Sequence, residues 1–400
     1  MSKLFTLQGE LQNYAWGGST YISNLLGIES KGEKYAEYWL GAHVNAPSVL
    51  STPEGNQPLD AYLNLNLSKS LGTDVAEKFG RLPFLFKVLD VNDMLSIQVH
   101  PTKLEAEKGF RNENEKGIAL NAPNRNYKDD NHKPEIMVAL SEFWLLHGFL
   151  AESQLTERLK NTPEFVDLLS VFEEEGFFGL YKCVMEQSVE ESNQLLQPLV
   201  DRILPLYQEG KLHKTSPDYW AAKAVDMAVD TSVLDKGIYS IYFFNIVKAN
   251  KGEAIFQDAG IPHAYLEGQN MELMANSDNV LRGGLTPKHV DVPELLKHMN
   301  FEETIPTIIL GEMQEDCLER IYKCPVPDFE LSQITLSMTD LYKSNAKSAQ
   351  ILIVIEGEVV IVEGDSTLIL DKGGSVFLMA ESEYQISSPS SAVIYKATAP

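Results

Sequence analysis

The sequence contains 400 residues, which is too many for one ordinary hydrophobic core and predicts two or three packed units. Its hydrophobic share of 44% is that of a globular protein. The 57 acidic residues exceed the 33 basic ones, and the formal net charge of −24 disfavours nucleic acid and anionic membranes as partners. An anionic small molecule would therefore need a local cluster of basic residues in order to bind.

The chain is predicted to be cytoplasmic. Its first residues, MSKLFTLQGE, lack the continuous apolar core of a signal peptide. No stretch approaches the roughly 18 uncharged apolar residues that a membrane-spanning helix needs. The three cysteines lack metal-like spacing and are typical of reduced thiols, so we expect no disulfide scaffold; they are Cys183, Cys317 and Cys324.

Polar and apolar side chains alternate between Leu95 and His100. Because successive side chains of a strand point to opposite faces, Ser96, Gln98 and His100 are predicted to share one face, and Pro101 ends the strand. The strand would then present an amide oxygen and an imidazole side by side. An ordinary strand with one solvated polar face is the alternative interpretation.

A polar loop precedes the next predicted strand. Residues 121–134 are rich in Asn, Asp and Pro and are predicted to form a loop, and the apolar run 136–140 is typical of a buried strand. Glu135 stands at the entrance of this strand, next to His132 and Lys133. The carboxylate could coordinate a metal, although taken alone it could equally be a solvated charge.

The region from about residue 151 to 230 is predicted to be a helical insertion. Three helix starts are indicated by capping signals. They are Thr162 before Pro163, Ser188 with Glu191, and Ser216 before Pro217. The run from Ile238 to Val247 is then predicted to be a strand, because the β-type pattern returns at about residue 235.

Residues 263–288 hold the densest set of reactive side chains. His263 and Tyr265 are two residues apart and can share a strand face, while Glu272, Arg282 and Lys288 follow within the same segment. A long surface loop with ordinary charges is the alternative.

The last hundred residues give an all-β pattern. In the run 351–380, short apolar stretches are broken at Glu356-Gly357, Gly364-Asp365 and Gly373-Gly374, which predicts a jelly-roll barrel. This run contains no histidine, so a barrel of the metal-binding type would have lost its metal here.

Two histidines, a carboxylate and an amide oxygen together suit a borderline cation such as zinc. Four protein ligands exceed the three that are usual at catalytic zinc, so water or substrate would have to expand the coordination sphere. The four residues come from three distant segments, and their spacing alone does not establish that they meet.

Several stretches closely resemble the type I phosphomannose isomerases. The matches extend from the N-terminus through residue 300, and the most specific are LSIQVHP and SDNVLRGGLTPK. The remaining ones are LQNYAWGG, YAEYWLGAHVNAPS, LPFLFKVL, DDNHKPE and PHAYLEGQNMELMAN. The departures are minor: Val99 stands where alanine is common, and Gly283 where alanine is frequent.

The resemblance implies a mainly β fold with a helical insertion: two cupin-like jelly-roll β domains plus an α-helical domain. We expect residues 1–150 together with 231–300 to form the catalytic cupin-like domain. Residues 151–230 would form the helical insertion domain, and residues 301–400 a C-terminal cupin-like β domain without metal ligands.

The resemblance also implies roles for individual residues, with one zinc ion per chain. The expected zinc ligands are Gln98, His100, Glu135 and His263, and Arg282 is the expected catalytic arginine. Glu272 is a candidate for proton transfer, and Lys133 is its alternative, with His132 as a possible helper. Substrate-binding roles are expected for Lys288, Tyr265, Ser96, Lys87 and His43, the last of which could assist ring opening.

The function implied is a zinc-dependent interconversion of mannose 6-phosphate and fructose 6-phosphate through an enediolate. The sugar phosphate is the only expected partner, and the chain is expected to act as a monomer. Two alternatives are a cupin iron oxygenase and a sugar-phosphate-binding regulatory protein without catalysis. Nucleotide-dependent chemistry has no support, because Walker and dinucleotide motifs are missing.

Overall fold

The structure is a computed structural model that describes residues 2–228, 230 and 232–400. Antiparallel strands dominate both ends of the chain, and most of the long helices lie between Glu152 and Phe243. This arrangement confirms the mainly β fold with a helical region. In the part of the chain described, no helix is both long enough and apolar enough to cross a bilayer.

The first 150 residues alternate strands with short helices. The strands are β1 (Leu4–Gln8), β2 (Glu10–Gln12), β3 (Glu37–His43), β4 (Ala46–Pro47), β5 (Val49–Thr52), β6 (Gly55–Pro58), β7 (Phe84–Val91), β8 (Gln98–Val99), β9 (Glu135–Ala139) and β10 (Phe143–Phe149). The helices are α1 (Tyr21–Leu26), α2 (Leu59–Leu65), α3 (Leu67–Leu71), α4 (Thr73–Phe79) and α5 (Lys103–Glu115).

The middle of the chain is helical, and the strands of the first β unit then resume. The helices are α6 (Glu152–Asn161), α7 (Leu168–Met185), α8 (Val189–Gln208), α9 (Pro217–Asp226), α10 (Gly237–Phe243) and, later, α11 (Val292–His298). The strands are β11 (Phe244–Ala249), β12 (Ala254–Gln257), β13 (His263–Ala275) and β14 (Leu281–Arg282).

The C-terminal segment consists of strands. They are β15 (Glu312–Met313), β16 (Glu319–Tyr322), β17 (Glu330–Leu336), β18 (Leu341–Ala346), β19 (Gln350–Glu356), β20 (Val359–Glu363), β21 (Ser366–Leu370), β22 (Ser375–Leu378), β23 (Ser382–Ser387) and β24 (Ala392–Thr398). The three predicted turns separate β19, β20, β21 and β22, as expected. Gly357 has φ 82°, in the left-handed region that favours glycine.

Strand β13 is the centre of the first β unit. It pairs antiparallel with β7, β8, β9 and β10, so that several segments of the chain meet along one strand. Strand β7 continues the sheet to β3 and β2, and β14 adds to β8. These pairings bring the predicted metal-binding segments side by side.

The C-terminal unit is a pair of packed sheets. One has the order β15-β16-β17-β24-β19-β22-β1-β5-β6 and the other β18-β23-β20-β21. Buried residues such as Leu352, Val376 and Ile386 form the core between them. Strands β1, β5 and β6 join this unit from within residues 1–150, so the expected domain limits stay a prediction.

The helical region packs on the first β unit through one apolar core. Trp220 of α9 and Tyr242 of α10 lie in the same buried cluster as Val99 of β8 and Leu146 of β10. Lys223 of α9 adds a polar contact, since its ammonium donates to Glu267 at 2.6 Å and to the carbonyl of Asn92 at 3.2 Å. The helices therefore support the strand that bears Gln98.

Two predicted elements were wrong in detail. The run from Ile238 to Val247 is helix α10 followed by β11, not one strand. All seven residues of α10 are buried, so its sequence has no alternation, and packing against the neighbouring helices decides its structure. Thr162 does precede a helix with Pro163 at its first position, but this is a short 3₁₀ helix at Pro163–Phe165, and the threonine hydroxyl makes no capping bond; it donates to the carbonyl of Arg158 at 2.9 Å.

The other two predicted helix starts are confirmed. Ser188 and Glu191 form a reciprocal capping box, in which the serine hydroxyl accepts from the amide of Glu191 at 3.1 Å. The same glutamate accepts from the amide of Ser188 at 2.8 Å. Ser216 caps α9 by accepting from the amide of Asp218 at 3.2 Å.

We predict that Ser188→Ala lowers the free energy of unfolding by about 1 kcal/mol, because it leaves a helix amide without its capping acceptor. Urea denaturation followed by circular dichroism measures the change. Ser188→Thr is the control, since it keeps the hydroxyl and should unfold at nearly the wild-type concentration. Equal loss in both variants would contradict the capping role.

Candidate metal centre and active-site cavity

Strand register brings three of the predicted site residues into one row. His263 on β13 lies opposite Gln98 on β8, and Gln98 lies opposite Arg282 on β14. Directly opposed residues of antiparallel strands project to the same face of the sheet. His263, Gln98 and Arg282 are therefore neighbours, although 165 positions separate the first two in sequence.

Two imidazoles and a carboxylate meet beside this row. His100 follows β8 directly, and Glu135 is the first residue of β9. The Nε2 atom of His100 lies 3.6 Å from Oε1 of Glu135, and Nε2 of His263 lies 3.4 Å from its Oε2. The possible ligand atoms of the three residues all lie within 4.8 Å of one another, and all three side chains are buried. The group has the composition of a metal site.

Main-chain carbonyls fix the tautomers of both rings. Nδ1 of His100 lies 2.8 Å from the carbonyl oxygen of Asn279, and Nδ1 of His263 lies 2.9 Å from that of Ile261. A carbonyl can only accept, so each Nδ1 carries the proton and each Nε2 directs its lone pair towards Glu135. Within the described ranges, Nε2 of His100 is buried with no hydrogen-bond partner. A cation between these atoms satisfies it, and the residues present fit a metal ion.

The electrostatics of the group favour its metal-binding protonation states. Burial lowers the pKa of His100 to about 4, although Glu135 opposes the shift. Burial by itself would raise the pKa of Glu135, but the neighbouring charge of Lys133 is the largest of the causes that hold it well below its ordinary value. At neutral pH the group therefore offers a neutral imidazole and a carboxylate, the forms that metals bind.

A cavity of about 1620 Å³ opens next to this group. Gln98 lines the cavity and lies beside His263, so it is the residue from which an amide oxygen can approach the group. Many of the residues predicted to act in catalysis or to bind substrate also line the cavity; they are Arg282 and Lys133 of the catalytic set, and Ser96, Lys87, Lys288 and His43 of the substrate-binding set. The structure thus brings most of the predicted site together.

Lys87, which lines the cavity, and Glu272, which does not, form a buried network. Lys87 donates to Glu272 at 3.0 Å, lies 3.4 Å from Glu37, and stands 5.2 Å from the ring centre of Trp39. Burial would lower the pKa of Lys87, but the two carboxylates raise it, so this lysine stays protonated. Tyr265 donates to the other oxygen of Glu272 at 2.9 Å.

The pKa of Glu272 is raised above its ordinary value of 4.5. Burial is the main cause; the charge of Lys87 opposes it, and the nearby carboxylates of Glu135 and Glu37 add to it. A carboxylate with a raised pKa can exchange a proton closer to neutral pH than an exposed glutamate can.

The remaining cations of the cavity differ in whether they are paired. Lys133 lies 3.2 Å from Oε1 of Glu135. The Nε2 atom of His43 is 3.2 Å from both carboxylate oxygens of Asp278. Burial by itself would raise the pKa of Asp278, but this hydrogen bond and the nearby positive charges together lower it. Among the described residues, Arg282 and Lys288 have no carboxylate within ion-pair distance, so their charges face the cavity uncompensated.

His132 is placed apart from the other predicted catalytic residues. Its Nε2 atom lies 3.1 Å from both carboxylate oxygens of Asp328, a buried residue of the C-terminal unit, and the ring does not line the cavity. The predicted role of His132 as a helper in proton transfer therefore has no contact to support it.

Sequence reasoning missed Glu37, Trp39 and Asp278, which contact Lys87 or His43. Glu37 and Trp39 alternate along β3, and Trp39 lies opposite Lys87 in register. The alternation was visible in YAEYWLGAH, but the partner strand was not. Asp278 follows β13 in a loop that no periodic pattern marks.

Comparison with known proteins gives a consistent result. Residues 4–151 match the family model of the phosphomannose isomerase type I catalytic domain, and residues 320–395 match that of the mannose-6-phosphate isomerase cupin domain. A mannose-6-phosphate isomerase of Escherichia coli is 37% identical over 94% of this chain and 94% of its own. The mannose-6-phosphate isomerase of Homo sapiens is 31% identical over 99% of this chain and 98% of its own.

A solved structure is similar over the whole chain. The mannose 6-phosphate isomerase from Salmonella typhimurium, bound to its substrate fructose 6-phosphate and a zinc atom, superposes with a TM-score of 0.89 and 34% identity over 100% of both chains. A second structure of a mannose 6-phosphate isomerase, bound with zinc and yttrium, has the same TM-score of 0.89. The shared fold, the two matching domain models and the sequence identity show that this chain belongs to the type I phosphomannose isomerases.

Proposed function

We propose that this protein is a zinc-dependent isomerase that interconverts mannose 6-phosphate and fructose 6-phosphate, with one zinc ion per chain. The observation that supports it most is the buried His100–Glu135–His263 group, which lies beside Gln98 and Lys133, two residues of a cavity that is also lined by other cations. The Salmonella relative with zinc and fructose 6-phosphate bound supports the same cofactor and substrate class.

We assign the zinc ligands to His100, Glu135 and His263, with Gln98 as the fourth. Nitrogen and carboxylate oxygen are the ligands that zinc prefers, and both ring tautomers leave Nε2 free to bind. When bound, zinc would supply a Lewis acid that polarises the oxygens of the substrate.

The reaction moves one proton between neighbouring carbons. A base removes the proton from C2 of the aldose, and an enediolate forms across C1 and C2. That proton returns to C1, and the proton of the C2 hydroxyl passes to the oxygen on C1, which gives the ketose. We assign the transfer to Glu272, whose raised pKa suits it to both taking and returning a proton. Lys133, which lines the cavity, is the alternative.

Other residues of the cavity would bind and orient the substrate. Arg282 places a positive charge next to Gln98, where it can stabilise the negative charge that develops on the enediolate. Lys87 and Tyr265 hold the carboxylate of Glu272 in one orientation. His43, polarised by Asp278, is placed to assist opening of the sugar ring.

The remaining expectations from the sequence fit this function. Ser96 lines the cavity beside the metal group and is proposed to contact the sugar, and Lys288 to contact its anionic end. Cys183, Cys317 and Cys324 are free thiols, in keeping with the proposed cytoplasmic location. The monomeric state also stays a proposal.

The two alternative functions are not favoured. An iron oxygenase shares the two-histidine, one-carboxylate set, but the relatives at 36% and 37% identity are mannose-6-phosphate isomerases and the similar structure contains zinc. A regulatory protein without catalysis is disfavoured because the polar residues expected of the family are present. Metal analysis, oxygen uptake and a coupled isomerase assay separate the three functions.

We predict that His100→Ala and Glu135→Ala each lower the zinc content from one ion per chain to nearly none, since each removes a ligand of the group. Mass spectrometry of the metal in purified protein measures this content, and activity should fall with it. His289→Ala, at an exposed histidine outside the group, is the control and should retain zinc. Full zinc content in both ligand variants would refute the assigned site.

We predict that Arg282→Ala retains zinc but lowers kcat by about 10²-fold, as the loss of one preorganised charge often does. The coupled assay measures kcat, and Arg111→Ala, at an exposed arginine of α5, is the control. Normal turnover of the Arg282 variant would exclude a role in stabilising the enediolate.

We predict that kcat/KM falls on the acid side through a group whose pKa lies above 4.5, because Glu272 must be deprotonated to accept the proton and its pKa is raised. Glu272→Gln should lose this limb together with most of the turnover, while keeping its zinc. If Glu272→Gln turns over normally and Lys133→Met does not, the proton transfer belongs to Lys133.

A further inference from the structure

We propose that Lys128, positioned by Asn279, is an additional substrate-binding residue that contacts the phosphate group alongside Arg282 and Lys288. The inference rests on the proposed function, because it names the residues that receive the anionic end of the same substrate. The motifs in the sequence predicted no role for Lys128 or Asn279.

The cations that line the cavity fall into two classes. Lys87 and Lys133 each lie within 3.4 Å of at least one carboxylate and are therefore neutralised locally. Lys128, Arg282 and Lys288 line the same cavity, as does the exposed Arg81, and within the part of the chain that the structure describes none of the four has a carboxylate at ion-pair distance. In a chain with a net charge of −24, uncompensated cations at one cavity fit an anionic ligand.

Arg282 is close enough to affect the pKa of both Lys128 and Lys288. The pKa of Lys128 is lowered by burial and then by the charges of Arg125 and Arg282. The pKa of Lys288 is lowered by burial and then by Arg282. Nearby positive charges repel, and a phosphate dianion placed between them removes the repulsion. The arrangement thus favours the charge that the substrate would bring.

The two acids that act on the pKa of Lys128, Glu113 and Asp278, already have hydrogen-bond partners of their own. The carboxylate of Asp278 accepts a hydrogen bond from His43. Glu113 accepts from the main-chain amides of Asn126 and Tyr127 at 3.0 and 2.8 Å and lies 2.8 Å from Arg125. The ammonium of Lys128 itself donates to the carbonyl of Leu120 at 2.7 Å, which leaves two of its protons for a ligand.

Asn279 holds the backbone that bears Lys128. Its side-chain oxygen accepts from the amide of Lys128 at 2.7 Å, and its side-chain nitrogen donates to the carbonyls of Asp129 and Asn131 at 2.8 and 2.9 Å. Asn279 is only 1% exposed, so these bonds are shielded from water. The amide therefore sets the path of residues 128–131 along the cavity.

The same residue also orients a metal ligand. The main-chain carbonyl of Asn279 accepts from Nδ1 of His100 at 2.8 Å, while its side chain holds the loop of Lys128. One buried residue thus links the metal end of the cavity to the cation end. A fixed separation of the two ends is what a substrate with reacting carbons at one end and phosphate at the other requires.

The test compares Lys128→Ala with the wild-type enzyme in its zinc-loaded form. We expect KM for mannose 6-phosphate, and the inhibition constant of inorganic phosphate, to rise about tenfold, the loss typical of one charged hydrogen bond. The zinc content and kcat should stay close to wild type. Lys128→Arg should restore most of the affinity, and Lys116→Ala, at an exposed lysine after α5, is the matched control.

Asn279 is tested as a positioning residue. Asn279→Ala should raise KM as Lys128→Ala does, with zinc retained because the main-chain carbonyl that bonds His100 remains. The double variant, with Lys128→Ala and Asn279→Ala, should raise KM no more than the more damaging of the two single changes, since both act on the same contact. If the two increases in KM multiply instead, Asn279 acts independently of Lys128 and its positioning role is overturned.

Calorimetry with mannose 6-phosphate and with inorganic phosphate separates this inference from the proposed function. If the wild-type enzyme isomerises the substrate and Lys128→Ala binds phosphate as tightly as wild type, the role of Lys128 is wrong and the function stands. If the wild type binds phosphate in a manner that depends on Lys128 but does not isomerise, the proposed reaction fails and the subsite stands.

Discussion

The register of β13 against β8 and β9 is the constraint on which the rest of the site depends. The pairing places His263 opposite Gln98 and Glu135 opposite Met274, at the other end of β13, so the sheet must curve to bring His263 within 3.4 Å of Glu135. A shift by one residue would turn the imidazole to the other face of the sheet. The apolar residues of these strands, among them Val99 and Leu273, are buried and hold that alignment, so the hydrophobic core determines the geometry of the polar group.

Burial gives this group its chemistry as well as its position. The low-polarity surroundings keep His100 neutral, and the neighbouring ammonium of Lys133 keeps Glu135 ionised. Two main-chain carbonyls decide which nitrogen of each ring is free. The backbone of the loops around residues 261 and 279 therefore orients both rings, a task that a carboxylate side chain performs at many other metal sites.

The charges around the cavity divide into a paired and an unpaired set. Lys87 and Lys133 are held by carboxylates close to the metal group, where they act on the protonation of Glu272 and Glu135. Among the residues that the structure describes, Arg282 and Lys288 face the cavity without a carboxylate partner. A strongly acidic protein can therefore attract an anionic substrate, because these cations give the cavity a local region of positive charge.

The sequence by itself determined the secondary structure of the C-terminal β unit, the capping box at Ser188, the alternation that puts Ser96 and Gln98 on the cavity face, and the four residue types that suit zinc. These features are local, or they are carried by motifs specific enough to recognise. Only the tertiary structure decided that residues 237–243 form a helix, since a uniformly buried segment has no period. It also joined Glu37 to Lys87, His132 to Asp328 and Asn279 to both Lys128 and His100. Such contacts depend on which strands and loops become neighbours, and contacts between residues fifty or more positions apart leave no periodic trace in one sequence.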